Sequence, residues 1–356
     1  LSRSFGVPLY LRGMLTRRHL LLAAPALAVV RPGFAEDPPA ADAPVAPAPE
    51  TDTLQAILTR AEGLAALKAI VISRDGERLA ERGYHGHSPR DSTNIKSASK
   101  SIVSALVGIA IARGLLEGVD QPIAPLLRGE LPENPDPRLS RVTIGHLLSM
   151  QSGLAPSYAR LAASRNWVRF TLSEPFTEDP GGPMVYATAS THLLSAILMR
   201  VGAASTERLA EDWFAPVEGF RIGSWSRDPQ RIPIGGNQMA MTTRSLHAFG
   251  ELYRRGGRTA DGVQVVPEHW VQTSWEPRTF SRHSGDGYGY GWFLREIGGA
   301  PVRFAWGYGG QMLYIVPSLA LTVAMTSQEA SPSAANGYRD QLHALLSDII
   351  ATTRRG

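Results

Sequence analysis

The chain has 356 residues, 43% of them hydrophobic and 19% charged, enough to bury one large core or two small ones. It has no cysteine, which excludes disulfides, thiolate metal sites and cysteine nucleophiles. The formal charge is +4 and the isoelectric point about 9.5, but Lys68, Lys96 and Lys100 are the only lysines, and no Lys/Arg-rich run of the kind that tracks phosphates occurs, so nucleic-acid binding is not expected. With 26 prolines and 35 glycines, the chain suits a catalytic domain with long loops better than a helical bundle.

The first segment carries a compartment signal. Met14-Leu15-Thr16-Arg17-Arg18-His19 precedes the apolar run LLLAAPALAVV, and the small residue Ala35 follows at a cleavage position. That is the pattern of an export signal, and Arg17-Arg18 suggests the twin-arginine type. The apolar run is too short to span a bilayer comfortably, so no stable membrane span is expected after cleavage. Residues 1–13 read as an upstream extension, with Met14 as the expected start. The expected organisation is extension and signal over 1–35, a Pro/Ala-rich linker over 36–50 and one catalytic domain over 51–352. The expected location is periplasmic or secreted.

In chain order, residues 54–64 read as a helix. Residues 67–84 read as two strands around Asp75-Gly76, a strong hairpin signal. Helical patterns follow at 97–113 (ended by Gly114), 143–151 (with Thr143 as N-cap), 189–202, 206–215 and 243–255. Short β-type runs return at 288–297, 301–307, 312–317 and 319–327, and a last helix is expected over 336–351. Strands at both ends with helices between them predict an α+β fold. An antiparallel sheet is built from N- and C-terminal strands and flanked by helices, with a mainly helical lobe inserted.

The chemistry centres on Ser97-Ala98-Ser99-Lys100, which opens the run SIVSALVGIAIARG. This helix is apolar almost all round, so it is expected in the core. Positions i and i+3 share a helical face, so Ser97 and Lys100 can point into one space. The free N–H groups and positive dipole at the helix start favour the oxyanion of acyl transfer. Arginine stays protonated, whereas a buried lysine can have its pKa lowered enough to act as a base. A lone SxxK is common by chance; the scarcity of lysine and the buried helix give this one weight.

The segment SASKSIVSALVGIAIARGLL, followed by VTIGHLLSMQSGL (142–154), resembles the serine β-lactamase and penicillin-binding-protein superfamily. The nearest flavour is the class C β-lactamase-like esterases and amidases, and the chain is similar to the 6-aminohexanoate-dimer hydrolases. The resemblance covers roughly residues 54–350 and implies a β-lactamase/transpeptidase-like fold. It implies Ser97 as nucleophile, Lys100 as base and Tyr186, in Tyr186-Ala187-Thr188, as the proton shuttle. Thr188 stands where Asn is usual in the family. Tyr308-Gly309-Gly310 stands where Lys-Thr-Gly or His-Thr-Gly is usual, so no cation is offered there. By the same resemblance the N–H of Gln311 would join that of Ser97 as the oxyanion hole. Thr188, Tyr308, Gly309, Gly310 and Gln311 are therefore the substrate-binding candidates.

Other features weigh less. His85-Gly86-His87 lacks a third ligand and reads as a solvated loop, so no metal and no cofactor is expected. No HExxH, GxxxxGK or GxSxG motif occurs. Tyr158, Trp167 and Trp292 are candidates for the cleft wall or for packing. The expected function is hydrolysis of a small-molecule ester, amide or peptide through an acyl-Ser97 intermediate. The alternatives are a β-lactamase or D-peptidase acting on β-lactams or peptidoglycan peptides, and a non-catalytic penicillin-binding-like sensor. The sequence leaves the oligomeric state open.

Overall fold

The computed structural model describes residues 53–330 and 332–354, so the expected signal and linker lie outside the described residues. Eleven strands are described: β1 (Leu67–Arg74), β2 (Glu77–Gly83), β3 (Ser92–Asn94), β4 (Ser224–Trp225), β5 (Met239–Thr242), β6 (Thr279–Phe280), β7 (Gly287–Tyr288), β8 (Phe293–Ile297), β9 (Ala300–Gly307), β10 (Gln311–Val316) and β11 (Leu321–Ser327). Eight of them form one antiparallel sheet in the order β2-β1-β11-β10-β9-β8-β7-β6. The N-terminal hairpin joins the C-terminal strands through β1 and β11, with Ile70 opposite Met325 and Arg74 opposite Leu321. The fold is α+β, as the order of elements predicts.

The hairpin turn follows its sequence. Asp75 and Gly76 both have positive φ (49° and 84°), which matches the right-handed twist of the flanking strands. β2 is an edge strand, and its charged sequence ERLAERG discourages pairing with another chain. In the centre, β10 is buried along its whole length because both sheet faces are covered. Met312, Tyr314 and Val316 point to one side, where they meet Ile57, Leu342, Leu346 and Ile349 from the first and last helices. Leu313 and Ile315 point to the other, toward the inserted lobe.

That lobe is organised around the helix Ser99–Ala112. Every residue from Ser99 to Ala110 is buried, so the helix needs apolar side chains on all faces. Ile102, Val103 and Leu106 each stabilise by roughly 1.5–3 kcal/mol through burial. The helix is tied to the sheet by the Ser101 hydroxyl, which donates to the Gly291 carbonyl at 2.6 Å. Helices Ile144–Leu148, Thr188–Val201 and Thr243–Arg254 share its apolar core.

Several expectations need correction. Residues 97–113 do not form one α-helix: a 3₁₀ turn, Lys96–Ala98, precedes the helix Ser99–Ala112. The strand expected over 288–297 is broken into β7 and β8, because Gly289 N–H donates to the Trp292 carbonyl in a turn whose Gly291 has φ 80°. The helix after Thr143 is only Ile144–Leu148, although Thr143 caps it as expected, in a capping box with His146. The three-stranded sheet β3-β5-β4 was not anticipated, since its strands are two to four residues long and carry almost no periodicity.

Gly108 faces Trp270, and a Cβ there would overlap the indole ring. Alanine ordinarily gains about 1 kcal/mol over glycine in a helix, but overpacking costs about 1–3 kcal/mol. Gly108→Ala is therefore expected to lower the urea denaturation midpoint; an unchanged or raised midpoint would show that Trp270 moves aside freely.

Candidate active site

Ser97 sits in the 3₁₀ turn that leads into the buried helix. Lys96, just before it, has φ 52°, a left-handed conformation that costs a non-glycine residue on the order of 1 kcal/mol. Its surroundings hold it there. Lys96 N–H donates to Asn94 Oδ1 at 3.0 Å, and the Ser99 hydroxyl donates to the Lys96 carbonyl at 2.7 Å. Glu329, beyond the end of β11, lies 3.6 Å from Lys96 Nζ and 3.8 Å from Lys68 Nζ, and accepts from Asn94 N–H at 3.3 Å. From behind, Gly307 packs so closely that a Cβ would overlap the Ile95 carbonyl.

Two of the three lysines thus share one carboxylate, and the third has none. Lys100 is 2% exposed, and no carboxylate of the described residues pairs with it. Its Nζ lies 3.1 Å from Ser97 Oγ and donates to the Gly236 carbonyl at 2.7 Å. Burial alone lowers its pKa from the usual lysine range to about 7. A neutral amine facing a serine hydroxyl can accept its proton, which is what a general base requires.

Tyr186 completes the cluster. It lies in the extended stretch just before the helix Thr188–Val201, and its ring stands 5.0 Å from Lys100 Nζ. The ring is open to the cleft (40% exposed) and packs on Tyr288 and Phe293. Its hydroxyl reaches the enclosed floor: burial pushes it up to about 12, against the opposing effect of a hydrogen bond with Ser97. Such a phenol stays protonated at neutral pH and can relay a proton.

A cavity of about 370 Å³ opens over Ser97 and Tyr186. Its wall includes Phe293, Trp306, Tyr308, Ser281, His283 and Ser333, and no lysine or arginine of the described residues. A larger cavity, about 630 Å³, lies elsewhere among Arg78, Arg244, Arg255 and Arg258 and contains neither Ser97 nor Lys100. Chemistry, not volume, selects the smaller one.

The structure brings Ser97, Lys100 and Tyr186 together and puts Tyr308, 47% exposed, on the same wall. Thr188 is the first residue of its helix, half-buried and not on that wall. Gly309 and Gly310 form the β9–β10 turn. Side chains there would strike the Gln328 carbonyl and the Tyr338 ring, so both glycines answer to packing. The Gln311 side chain is a buried clamp, donating to the Ser327 carbonyl and accepting from Ser327 N–H, each at 2.9 Å. Trp292 is core, packed between Phe249 and Tyr253, and Tyr158 packs edge-on against Trp167 away from the cavity. His85 and His87 lie on the loop after β2, where His85 meets the Leu64 carbonyl and His87 meets Asp91.

Sequence reasoning missed Gly236 and the aromatic pair Phe293 and Trp306. The doublet Gly235-Gly236 was the available signal for the first, since adjacent glycines mark close backbone approach. A Cβ on Gly236 would lie 2.6 Å from Lys100 Cγ.

An antiparallel sheet, a helical lobe and a Ser–Lys pair at the mouth of a buried helix define the class of penicillin-binding and β-lactamase folds. The chain belongs to the Beta-lactamase family, whose model matches residues 53–347. It is 26% identical over 259 residues to the 6-aminohexanoate-dimer hydrolase of Paenarthrobacter ureafaciens, covering 65% of this chain but only 64% of that protein. The match thus spans less than two thirds of that relative's length. The D-amino acid amidase of Ochrobactrum anthropi SV3 has a similar structure, with a TM-score of 0.67 at 14% identity, over 84% of this chain and 99% of that one. The octameric penicillin-binding protein homologue from Pyrococcus abyssi gives 0.63 at 17%, over 82% and 76%. At these identities the likeness speaks to the fold.

The lowered pKa of Lys100 has a stability consequence. An unfolded lysine titrates near 10.4, and native Lys100 at about 7. Between those values the unfolded state binds more protons, so this group makes stability rise with pH. Below pH 7 both states are protonated and the native state bears the whole desolvation penalty. Lys100→Met should therefore exceed the wild type in stability at pH 6 by roughly 2–5 kcal/mol, the gap closing toward pH 10. Urea denaturation across that range checks it; a gap that does not depend on pH would show that Lys100 is not desolvated.

Proposed function

We propose that this chain is an exported serine hydrolase that cleaves an ester or amide bond through an acyl-Ser97 intermediate. Family membership and the dimer-hydrolase relative support hydrolysis of the amide or ester type. The observation that carries the mechanism is Lys100, buried 3.1 Å from Ser97 Oγ with no carboxylate of the described residues paired to it; that burial lowers its pKa to about 7. Export rests on the sequence pattern of residues 14–35.

In this mechanism neutral Lys100 takes the Ser97 proton as Oγ bonds to the substrate carbonyl carbon. The negative charge moves to the carbonyl oxygen, where the N–H groups of Ser97 and Gln311 are the proposed donors. The tetrahedral centre collapses, the bond to the leaving group breaks, and the proton passes from Lys100 through Tyr186 to that group. Water then attacks acyl-Ser97 with Lys100 again as base, releasing the acid and restoring the serine. The aromatic wall, with no lysine or arginine among the described residues that line it, suits a neutral apolar substituent near the scissile bond better than a carboxylate.

Ser97→Ala is expected to abolish both turnover and labelling by a fluorophosphonate probe while the far-UV spectrum stays unchanged. Lys100→Arg keeps the charge but removes the base, and should lose roughly 10³-fold or more in kcat. An arginine variant with most of its activity would mean that Lys100 acts only as a fixed charge.

The substrate preference is also open to measurement. A carboxylate-bearing β-lactam lacks its charge-assisted partner here, a contact of roughly 1.5–3 kcal/mol, which predicts a handicap on the order of 10- to 100-fold. kcat/KM for p-nitrophenyl butyrate should exceed that for nitrocefin on the same preparation. The reverse order would move the assignment to a β-lactamase, and a burst of labelling with no turnover would favour a sensor.

A further inference from the structure

The helix that starts beside Tyr186 carries a buried histidine which the reaction does not use. The side chains of His192 and Asp228 are both fully buried, and Nε2 lies 3.1 Å from Asp228 Oδ2. The other carboxylate oxygen, Oδ1, accepts the N–H groups of Gln230 at 2.8 Å and Ile232 at 2.9 Å. An ionised carboxylate only accepts, so Nε2 must carry the proton. Nδ1 is then bare, and it accepts the N–H of Gly235 at 3.4 Å. One tautomer satisfies both ring nitrogens.

The next residue is Gly236, whose carbonyl takes the Lys100 N–H at 2.7 Å. The loop between has little freedom. Ser195 Oγ donates to the Pro233 carbonyl at 2.7 Å and Trp225 Nε1 to the Ile234 carbonyl at 2.8 Å. A Cβ on Gly235 would lie 2.7 Å from the His192 Cα, so only glycine lets the loop rest on the helix backbone.

We infer that His192, oriented by Asp228, is a positioning residue for Lys100: its bare Nδ1 holds the Gly235–Gly236 segment so that the Gly236 carbonyl stays on the lysine nitrogen. This rests on the reading of Lys100 as base. Once Lys100 has taken the serine proton, it is an ammonium with no carboxylate of the described residues paired to it. The Gly236 carbonyl is then its charge-assisted acceptor. Of the other titratable groups, Tyr186 faces Lys100 and Glu329 is held by Lys68 and Lys96, while the non-titrating Trp167 ring packs 5.1 Å from His192.

Asp228→Asn tests the inference with almost no change of shape. The amide oxygen must still serve the Gln230 and Ile232 N–H groups, so its NH₂ faces Nε2. Nε2 must then accept, the proton moves to Nδ1, and two donors confront each other at Gly235. With three lysines in the chain, ¹³C-lysine labelling gives three ε-carbon signals, and the Lys100→Arg variant identifies the one that titrates at about 7. In Asp228→Asn that midpoint should fall by about one unit, because the ammonium loses its acceptor. The acid limb of the kcat/KM profile for p-nitrophenyl butyrate should shift with it. His192→Asn keeps an acceptor near Nδ1 and should keep the midpoint; His192→Leu should lower it, and this pair decides the matter if Asp228→Asn does not fold. A midpoint that rises, or stays within roughly 0.2 unit of wild type in a folded variant, overturns the inference. The titration needs no substrate, so its outcome is independent of whether Ser97 is the nucleophile.

Discussion

The site depends on the cost of burying one amine. The helix Ser99–Ala112 runs through the core, buried on every face from Ser99 to Ala110, and Lys100 lies in its first turn. Its ammonium loses hydration there, and the Glu329 carboxylate beside the Ser97 turn is shared by Lys68 and Lys96. With no carboxylate of the described residues to offset the desolvation, the pKa falls to about 7 and a substantial neutral fraction is present near neutral pH. A base and a destabilised charge are therefore the same physical fact. The apolar packing of Ile102, Val103 and Leu106 helps the core sustain it.

Around this amine, each neighbour comes from a different part of the chain. Ser97 is presented by a strained turn that Asn94 and Glu329 hold from one side and Gly307 from another. Tyr186 arrives on the approach to the helix Thr188–Val201, and the same helix carries His192 one turn further on. Gly236 comes from the loop before β5, held at consecutive residues by Ser195, Trp225 and His192. The late strands supply Phe293 and Trp306, and the β9–β10 turn supplies Tyr308. Close approach without a side chain recurs at Gly236 and Gly307, where backbone must touch backbone or the lysine stem.

Much of this was legible in the residues themselves. The Asp75-Gly76 hairpin, the capping Thr143, the buried helix and the paired Ser97 and Lys100 each follow from a local rule of turn chemistry, capping or periodicity. The α+β arrangement follows from strands at both ends of the chain. What escaped was short or remote. β3, β4 and β5 are too brief to show a period, and Gly291 breaks a run that otherwise reads as one strand. Trp292 reads as well for a cleft wall as for a core, because an aromatic side chain serves both.

The sequence by itself determined which side chains could do the chemistry: a serine three residues before one of three lysines, at the head of an apolar helix. A three-residue relation is local, so helical spacing alone places both groups on one face. Only the tertiary structure decided that no carboxylate of the described residues pairs with the lysine, that Gly236 faces it from 136 residues away, and that His192 and Asp228 stand behind that loop. Desolvation and long-range hydrogen bonds depend on what the rest of the chain packs around a group, and no local pattern records that.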